Sequence, residues 1–250
     1  HGQAQSFPTI ATTQGQILHN HGFVHTLKEG DLFLLDAGAE TKEHYAGDLS
    51  STMPVSNQFT SQQAEIYNIH LESFQAAVDC LKPGVPFRDA HIAAATRIVE
   101  GMKSLGLMKG DPAEAAESGA YALFFPCGLG HMMGLDVHDM ENLGEQYVGY
   151  DGKPKSKQFG FKSLRLARPL EPGFVFTVEP GIYFIPELID KWKAEKQFTD
   201  FICYEKLDAW RNFTGLRNEL DYTITPDGAR LLGTIKKPMT IEEVLAAKGI

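Results

Sequence analysis

Hydrophobic and polar positions in this chain follow two periods, and the changes between them divide the sequence into elements. Asp31 to Pro54 reads as a hairpin: LFLLDAG is a β-rich run, AETKEH is polar turn material, and YAGDLSSTMPV returns. Antiparallel partners keep a constant index sum, so a turn near Thr41 to Glu43 sets Asp36 opposite Asp48. Their Cβ atoms would then lie about 5 Å apart on one face. Two carboxylates that close repel each other unless something positive sits between them.

Helical spacing takes over after Phe59. Thr60 and Gln63 suit a capping box, and Ile66, His70, Ala77, Val78 and Leu81 keep one stripe until Pro83-Gly84 stops it. A second helix is expected over Arg88 to Leu105, and Asp111-Pro112 reads as the cap and first residue of a third. The Lys-rich stretch from Asp151 to Lys162 reads as a solvated loop. FVFTVEPGIYF is a strand interrupted at Pro180, with Thr177 and Glu179 on one face. GLRNELDYTIT places Arg217, Glu219 and Asp221 on one face and Leu216, Leu220 and Ile224 on the other. A charged strand face among apolar neighbours is costly unless it is paired or metal-bound. Thr240 and Glu243 suit the cap of a terminal helix. Strands, helices and strands again give an α+β domain with an antiparallel sheet backed by helices.

Composition narrows the function classes. A net charge of −9 without a Lys/Arg stripe argues against nucleic acid. The three cysteines, Cys80, Cys127 and Cys203, form no CxxC pair and fit a reducing, cytoplasmic setting. No apolar stretch approaches the roughly 18 residues needed to span a bilayer, so no membrane partner is expected. The chain begins at His1, and SFPTIATT follows almost at once. This reads as a processed or excised piece of something longer, lacking an opening helix.

Five residues sit in contexts that suit one metal site: Asp36 in LLDAG, Asp48 in YAGDLSST, His131 in GLGHMMG, Glu179 in FTVEPG and Glu219 in GLRNELD. Four carboxylates and one imidazole form a hard, oxygen-rich set. It suits two divalent ions such as Mn(II), Fe(II) or Co(II) better than a structural zinc. The chemistry to expect is metal-assisted hydrolysis.

Taken together, DAG with a second Asp twelve positions on, GLGH with GLDVHD, EPGIY and GLRNEL resemble, in order, the pita-bread metallopeptidase family. SFPTI, LHNH, LKEGDLFLLDAG and VEPGIYF bring the chain nearer to its aminopeptidase P and prolidase branch than to methionine aminopeptidase. The resemblance implies a pita-bread fold with pseudo-two-fold halves and a single catalytic domain over residues 1–250. It also implies that the N-terminal domain of longer members is absent. Asp36, Asp48, His131, Glu179 and Glu219 become the ligands of two metal ions, Mn(II) first, with Co(II), Fe(II) or Zn(II) as alternatives. His19 in ILHNH is placed over the substrate and His138 in LDVHD beside the developing oxyanion, with Cys127 and Arg217 also at the substrate. Glu179 is expected to shuttle the proton.

Two positions depart from the family pattern. Cys127 stands where many members carry histidine, and Asp48-Leu-Ser-Ser-Thr52 replaces DxTRT and loses an arginine. The implied activity is that of an Xaa-Pro aminopeptidase acting on peptides with proline at position two. A prolidase acting on Xaa-Pro dipeptides and a binding module on the same fold are the alternatives. A homodimer or a retained N-terminal fragment would cover sheet surface left bare by a missing helix. His21, His25 and His44 read as surface or loop residues, and His70 and His91, within helical patterns, as packing or solvent residues.

Overall fold

Strands β1 (Ile10–Thr12), β2 (Leu32–Ala37) and β3 (Leu49–Pro54) form one antiparallel sheet in that order. A second sheet follows the order β4 (Val175–Val178), β7 (Leu220–Thr225) and β8 (Gly228–Leu231). The short pair β5 (Gly181–Tyr183) and β6 (Gly215–Arg217) joins the two halves. These positions come from a computed structural model that describes Gly2 and residues 4–249. The two three-stranded halves match the expected pseudo-two-fold plan.

The hairpin register differs from the symmetric one. Asp36 pairs with Ser50 and Ala37 with Leu49, so Asp48 is displaced two positions beyond the partner of Asp36. The two acids keep a common face but are diagonal neighbours rather than opposites. The cause lies in the connection. Ala39 bridges to Gln5 and the Ala46 N–H bonds to the Gly134 carbonyl, so distant segments draw the loop out instead of letting it close as a balanced turn.

The other strands keep one register across an interruption. Val178 pairs with Leu220 and Gly181 with Arg217, and both pairs have the same index sum. Glu179 and Pro180 therefore face Glu219 and Asn218 across a gap between two ladders. Pro180 brings this about because it has no N–H to give. β3 docks on the same strand through Thr52. Its hydroxyl donates to the Arg217 carbonyl (2.8 Å) and lies 3.1 Å from the Arg217 N–H, while the Glu219 N–H donates to the Ser50 carbonyl (3.0 Å).

Helix α1 (Ser61–Asp79) starts at the expected capping box, with the Gln63 N–H donating to the Thr60 hydroxyl. It packs against β4 and β5 with Ile66, Tyr67, His70 and Phe74 buried. Helix α2 (Phe87–Ser104) lies against α1 and buries Ala94, Ala95, Ile98, Val99 and Met102. α3 (Pro112–Ser118) is capped by Asp111 as the sequence predicts. α4 (Glu145–Tyr150), α5 (Pro186–Ala194) and α6 (Ile241–Ala247) follow, with Thr240 and Glu243 forming the second capping box. Among the described residues no helix is long and apolar enough to cross a membrane.

Candidate metal centre

The five expected ligands lie on five segments brought to one cavity floor. Asp36 ends β2 and Asp48 precedes β3. Glu179 and Glu219 occupy the gap described above. His131 arrives on a segment that pairs with the edge of β4: the Glu179 N–H donates to the Leu129 carbonyl (2.7 Å), and Thr177 N–H to that of His131 (3.0 Å). Glycine is required at 130, since a Cβ there would stand 2.1 Å from the Thr177 carbonyl oxygen. GLGH is therefore a sequence of close approach rather than of flexibility.

Ligand atoms of Asp48, His131 and Glu219 lie within 4.8 Å of one another. His131 Nδ1 is 3.1 Å from the Met132 carbonyl, which places the ring proton there and turns the Nε2 lone pair inward. Nε2 stands 3.5 Å from both Asp48 Oδ2 and Glu179 Oε1. Asp36, Asp48, His131 and Glu219 are each less than a tenth exposed. One oxygen each of Asp36, Asp48 and Glu219 is buried without a hydrogen-bond partner. Buried acceptors left bare are costly, and a cation shared among them removes the cost.

The electrostatics agree. Burial, with the charges of Glu179, Asp48 and Asp36 behind it, pushes Glu219 well above the usual carboxylate range. Burial also raises Asp36 and Glu179, against the opposing pull of Arg217 on Asp36 and of His131 on Glu179. Burial works to lower His131, but its bond with Asp48 and the charges of Glu179 and Asp48 outweigh that and raise it. Burial pushes Asp221 up to about 7, although the Asp48 N–H donates to it at 3.2 Å. Two cationic side chains answer these five acids. Arg217 donates to Asp36 (2.6 Å), Ser50 (2.9 Å) and the Tyr183 hydroxyl (3.0 Å). Lys237 donates to the Ser50 carbonyl, and burial holds its ammonium down at about 8. The donor set is hard, anionic and short of positive charge, which fits divalent metal.

Above this floor is a cavity of about 620 Å³ whose wall includes His19, Cys127 and His138. The His138 ring meets that of His131 edge-on at 4.3 Å, and burial followed by the His131 charge lowers it to about 3. His19 is lowered by burial and then by Arg217 and Arg165. Cys127 is pushed up to about 12 by burial, which favours the protonated thiol at neutral pH. Arg217, expected at the substrate, lines the cavity but spends its guanidinium on Asp36, Ser50 and Tyr183.

The sequence reading missed several wall residues. The Lys-rich stretch is not purely solvated: Lys155, Phe159 and Lys162 line the cavity together with Arg165 and His21. Lys155 pairs with Glu145 and Arg165 with Glu141, which holds the segment against the wall. A charge run lacks the periodicity that separates a cavity rim from open solvent. Ser50 and Lys237 also escaped notice, because each acts through contacts distant in sequence.

Comparison with known proteins places this geometry in a family. Residues 1–226 match metallopeptidase family M24. The chain is 39% identical over 221 residues to the Xaa-Pro dipeptidase of Rattus norvegicus, covering 88% of this chain and 43% of that one. It is 36% identical over 246 residues to the Xaa-Pro aminopeptidase of Escherichia coli, covering 97% and 47%. Among solved structures, Pseudomonas aeruginosa aminopeptidase PepP superposes with a TM-score of 0.75 at 32% identity, over 99% of this chain and 48% of that one. Zinc-substituted E. coli aminopeptidase P in complex with product gives 0.74 at 34%, over 98% and 48%. The chain thus spans less than half the length of these relatives and shares the fold of aminopeptidase P. By sequence, fold and the residues gathered on its cavity floor, it belongs to metallopeptidase family M24.

Proposed function

We propose that this chain is the catalytic domain of a peptidase that uses two divalent metal ions, Mn(II) first, to hydrolyse the bond before proline, acting as an Xaa-Pro aminopeptidase. The observation that carries this reading is the set of unpartnered carboxylate oxygens on Asp36, Asp48 and Glu219 beneath an open cavity. Asp36, Asp48, His131, Glu179 and Glu219 would hold the ions. When bound, divalent metal lowers the pKa of a coordinated water toward neutrality and polarises a carbonyl.

The chain's own residues supply the rest. Glu179 accepts the nucleophile's proton and later passes it to the proline nitrogen. Its oxygen already receives the Thr177 hydroxyl at 3.3 Å, and a carboxylate beside the nucleophile can take and return a proton. His138 is neutral near pH 7 and donates a ring N–H to the carbonyl oxygen as charge develops there. His19, also held toward its neutral form, positions the leaving side, and Cys127 offers that wall a small uncharged surface. Free cysteines at 80, 127 and 203 suit a cytoplasmic setting. Association of two copies belongs to the same reading, since Phe23 and Val24 stand 70% and 82% exposed.

One observation favours a second reading, an Xaa-Pro dipeptidase. Lys162 puts positive charge on the cavity wall, beside Lys155 and Arg165 in their ion pairs with Glu145 and Glu141, and this suits the free carboxylate of a dipeptide. Mass-spectrometric product analysis separates the two. Metal-stripped protein is titrated with Mn(II) against Xaa-Pro dipeptides and longer peptides with and without proline at position two. Mn-dependent release of the first residue from longer peptides supports the aminopeptidase, and cleavage of dipeptides alone supports the second reading. Mn(II) binding without any cleavage would leave a binding module; no Mn(II) binding would overturn the metal assignment.

A further inference from the structure

His70 lies on α1, away from the cavity, and its ring is completely buried. The tilted rings of Tyr67 and Phe74 flank it at 6.2 and 6.4 Å, as a packing residue would require. Its polar contacts go further than packing. Nε2 stands 2.8 Å from the Pro180 carbonyl oxygen and 3.2 Å from the Asn218 nitrogen, whose N–H points at it. Pro180 directly follows Glu179, and Asn218 directly precedes Glu219. The imidazole therefore fills the gap between the two ladders, at the position where Pro180 has removed a donor.

A single ring nitrogen cannot satisfy both neighbours at once. Protonated, Nε2 donates to Pro180; with the proton on Nδ1, it accepts from Asn218. Nδ1 is itself buried and without a partner, so neither tautomer completes the set. The histidine's neutral form, favoured by burial, keeps both arrangements accessible. Leaving one buried nitrogen bare has a cost, yet a leucine or valine here would strip both the Pro180 carbonyl and the Asn218 N–H of this partner. The cost marks the site as more than packing.

We propose that His70 is a positioning residue of the metal centre, spacing Glu179 and Glu219 by holding the backbone beside each against one ring nitrogen on α1, bonded to Pro180 in one tautomer and to Asn218 in the other. This rests on reading those two glutamates as ligands. Partners that orient metal ligands are worth about 10- to 100-fold in metal affinity when removed, so His70→Leu should weaken Mn(II) binding by a factor in that range.

The test compares wild type, His70→Leu, His70→Gln and His70→Asn as the full 250-residue chain. Mn(II) affinity and stoichiometry are read by calorimetry, Mn(II) coordination by electron paramagnetic resonance, and folding by urea unfolding without metal. The expected result is a folded Leu variant with weakened Mn(II) binding and an altered spectrum, with Gln recovering most of the affinity because its amide reaches the same place. Should His70→Leu fail to fold, Gln against Asn decides: the shorter amide cannot span the gap and must bind more weakly. Wild-type affinity in a folded Leu variant, or equal affinity in Gln and Asn, overturns the role of His70. If wild type binds no Mn(II), the ligand assignment itself has failed.

Discussion

Ser50→Ala probes the centre from a residue that holds no metal. The side chain is fully buried between the two halves of the site. Its hydroxyl donates to Glu219 Oε2 at 2.8 Å and accepts from Arg217 Nε at 2.9 Å. Arg217 is a charged partner, and a hydrogen bond to a charged group contributes about 1.5–3 kcal/mol, while the bond to Glu219, which burial holds toward its neutral form, contributes about 0.5–1.5 kcal/mol. Arg217 keeps its bonds to Asp36 and Tyr183, and Glu179 Oε2 at 3.9 Å can take over part of the lost contact. The two losses are therefore not additive, and the expected destabilisation of metal-free protein is about 2–4 kcal/mol. Urea unfolding followed by circular dichroism and by the fluorescence of Trp192 and Trp210 measures it, with coincident transitions required. Mn(II) affinity, read by calorimetry on the same samples, should fall as Glu219 loses its orienting donor. A loss below about 0.5 kcal/mol together with unchanged Mn(II) affinity refutes the reasoning, since that is the range of surface substitutions.

Glu179→Gln should keep the fold and lower peptide hydrolysis by about 10²- to 10⁴-fold at saturating Mn(II); near wild-type turnover with full metal occupancy removes the proton-carrier role. Gly130→Ala forces a methyl against the Thr177 carbonyl, displacing His131 at a cost of roughly 1–3 kcal/mol, and unfolding with a matched Mn(II) titration should show both effects. His91 is buried against the Tyr121 hydroxyl at 2.6 Å and lowered by burial to about 3. The unfolded chain takes up that proton first, so its stabilisation is complete above about pH 6.5 and is lost as pH falls toward 3, at ~1.4 kcal/mol per pH unit. In urea unfolding at pH 7, 6, 5 and 4, His91→Phe should show a slope that becomes shallower by nearly one proton below about pH 6; equal slopes there would contradict this account.

Local signals carried most of the fold. Both capping boxes, the Asp111-Pro112 start and the break at Pro180 depend on neighbours within a few residues, and the chain states them openly. The candidate ligands were legible because their motifs combine a donor with glycine or proline that clears space around it. The hairpin register was not, because Gln5 and Gly134 decide it from outside. Ser50 and Lys237 look like ordinary polar residues until β3 meets β6 and the segment before α6 folds back. His70 follows the helical stripe and reads as a packing or solvent residue, since nothing local discloses that its ring ends in a gap between two distant strands.

The arrangement of the centre also orders events during folding. Asp36 and its ion-pair partner Arg217 are 181 positions apart, and the floor of the cavity is incomplete until the strand carrying Glu219 has docked on β3. Closing so long a loop is entropically costly and comes late. An ion arriving earlier would find at most the hairpin acids, so metal cannot act as a template for collapse. The chain must reach its native topology through the packing of α1 and α2 on the strands and take up metal afterwards. Chelation should therefore empty the centre of a folded protein, and refolding should proceed at the same rate with or without Mn(II).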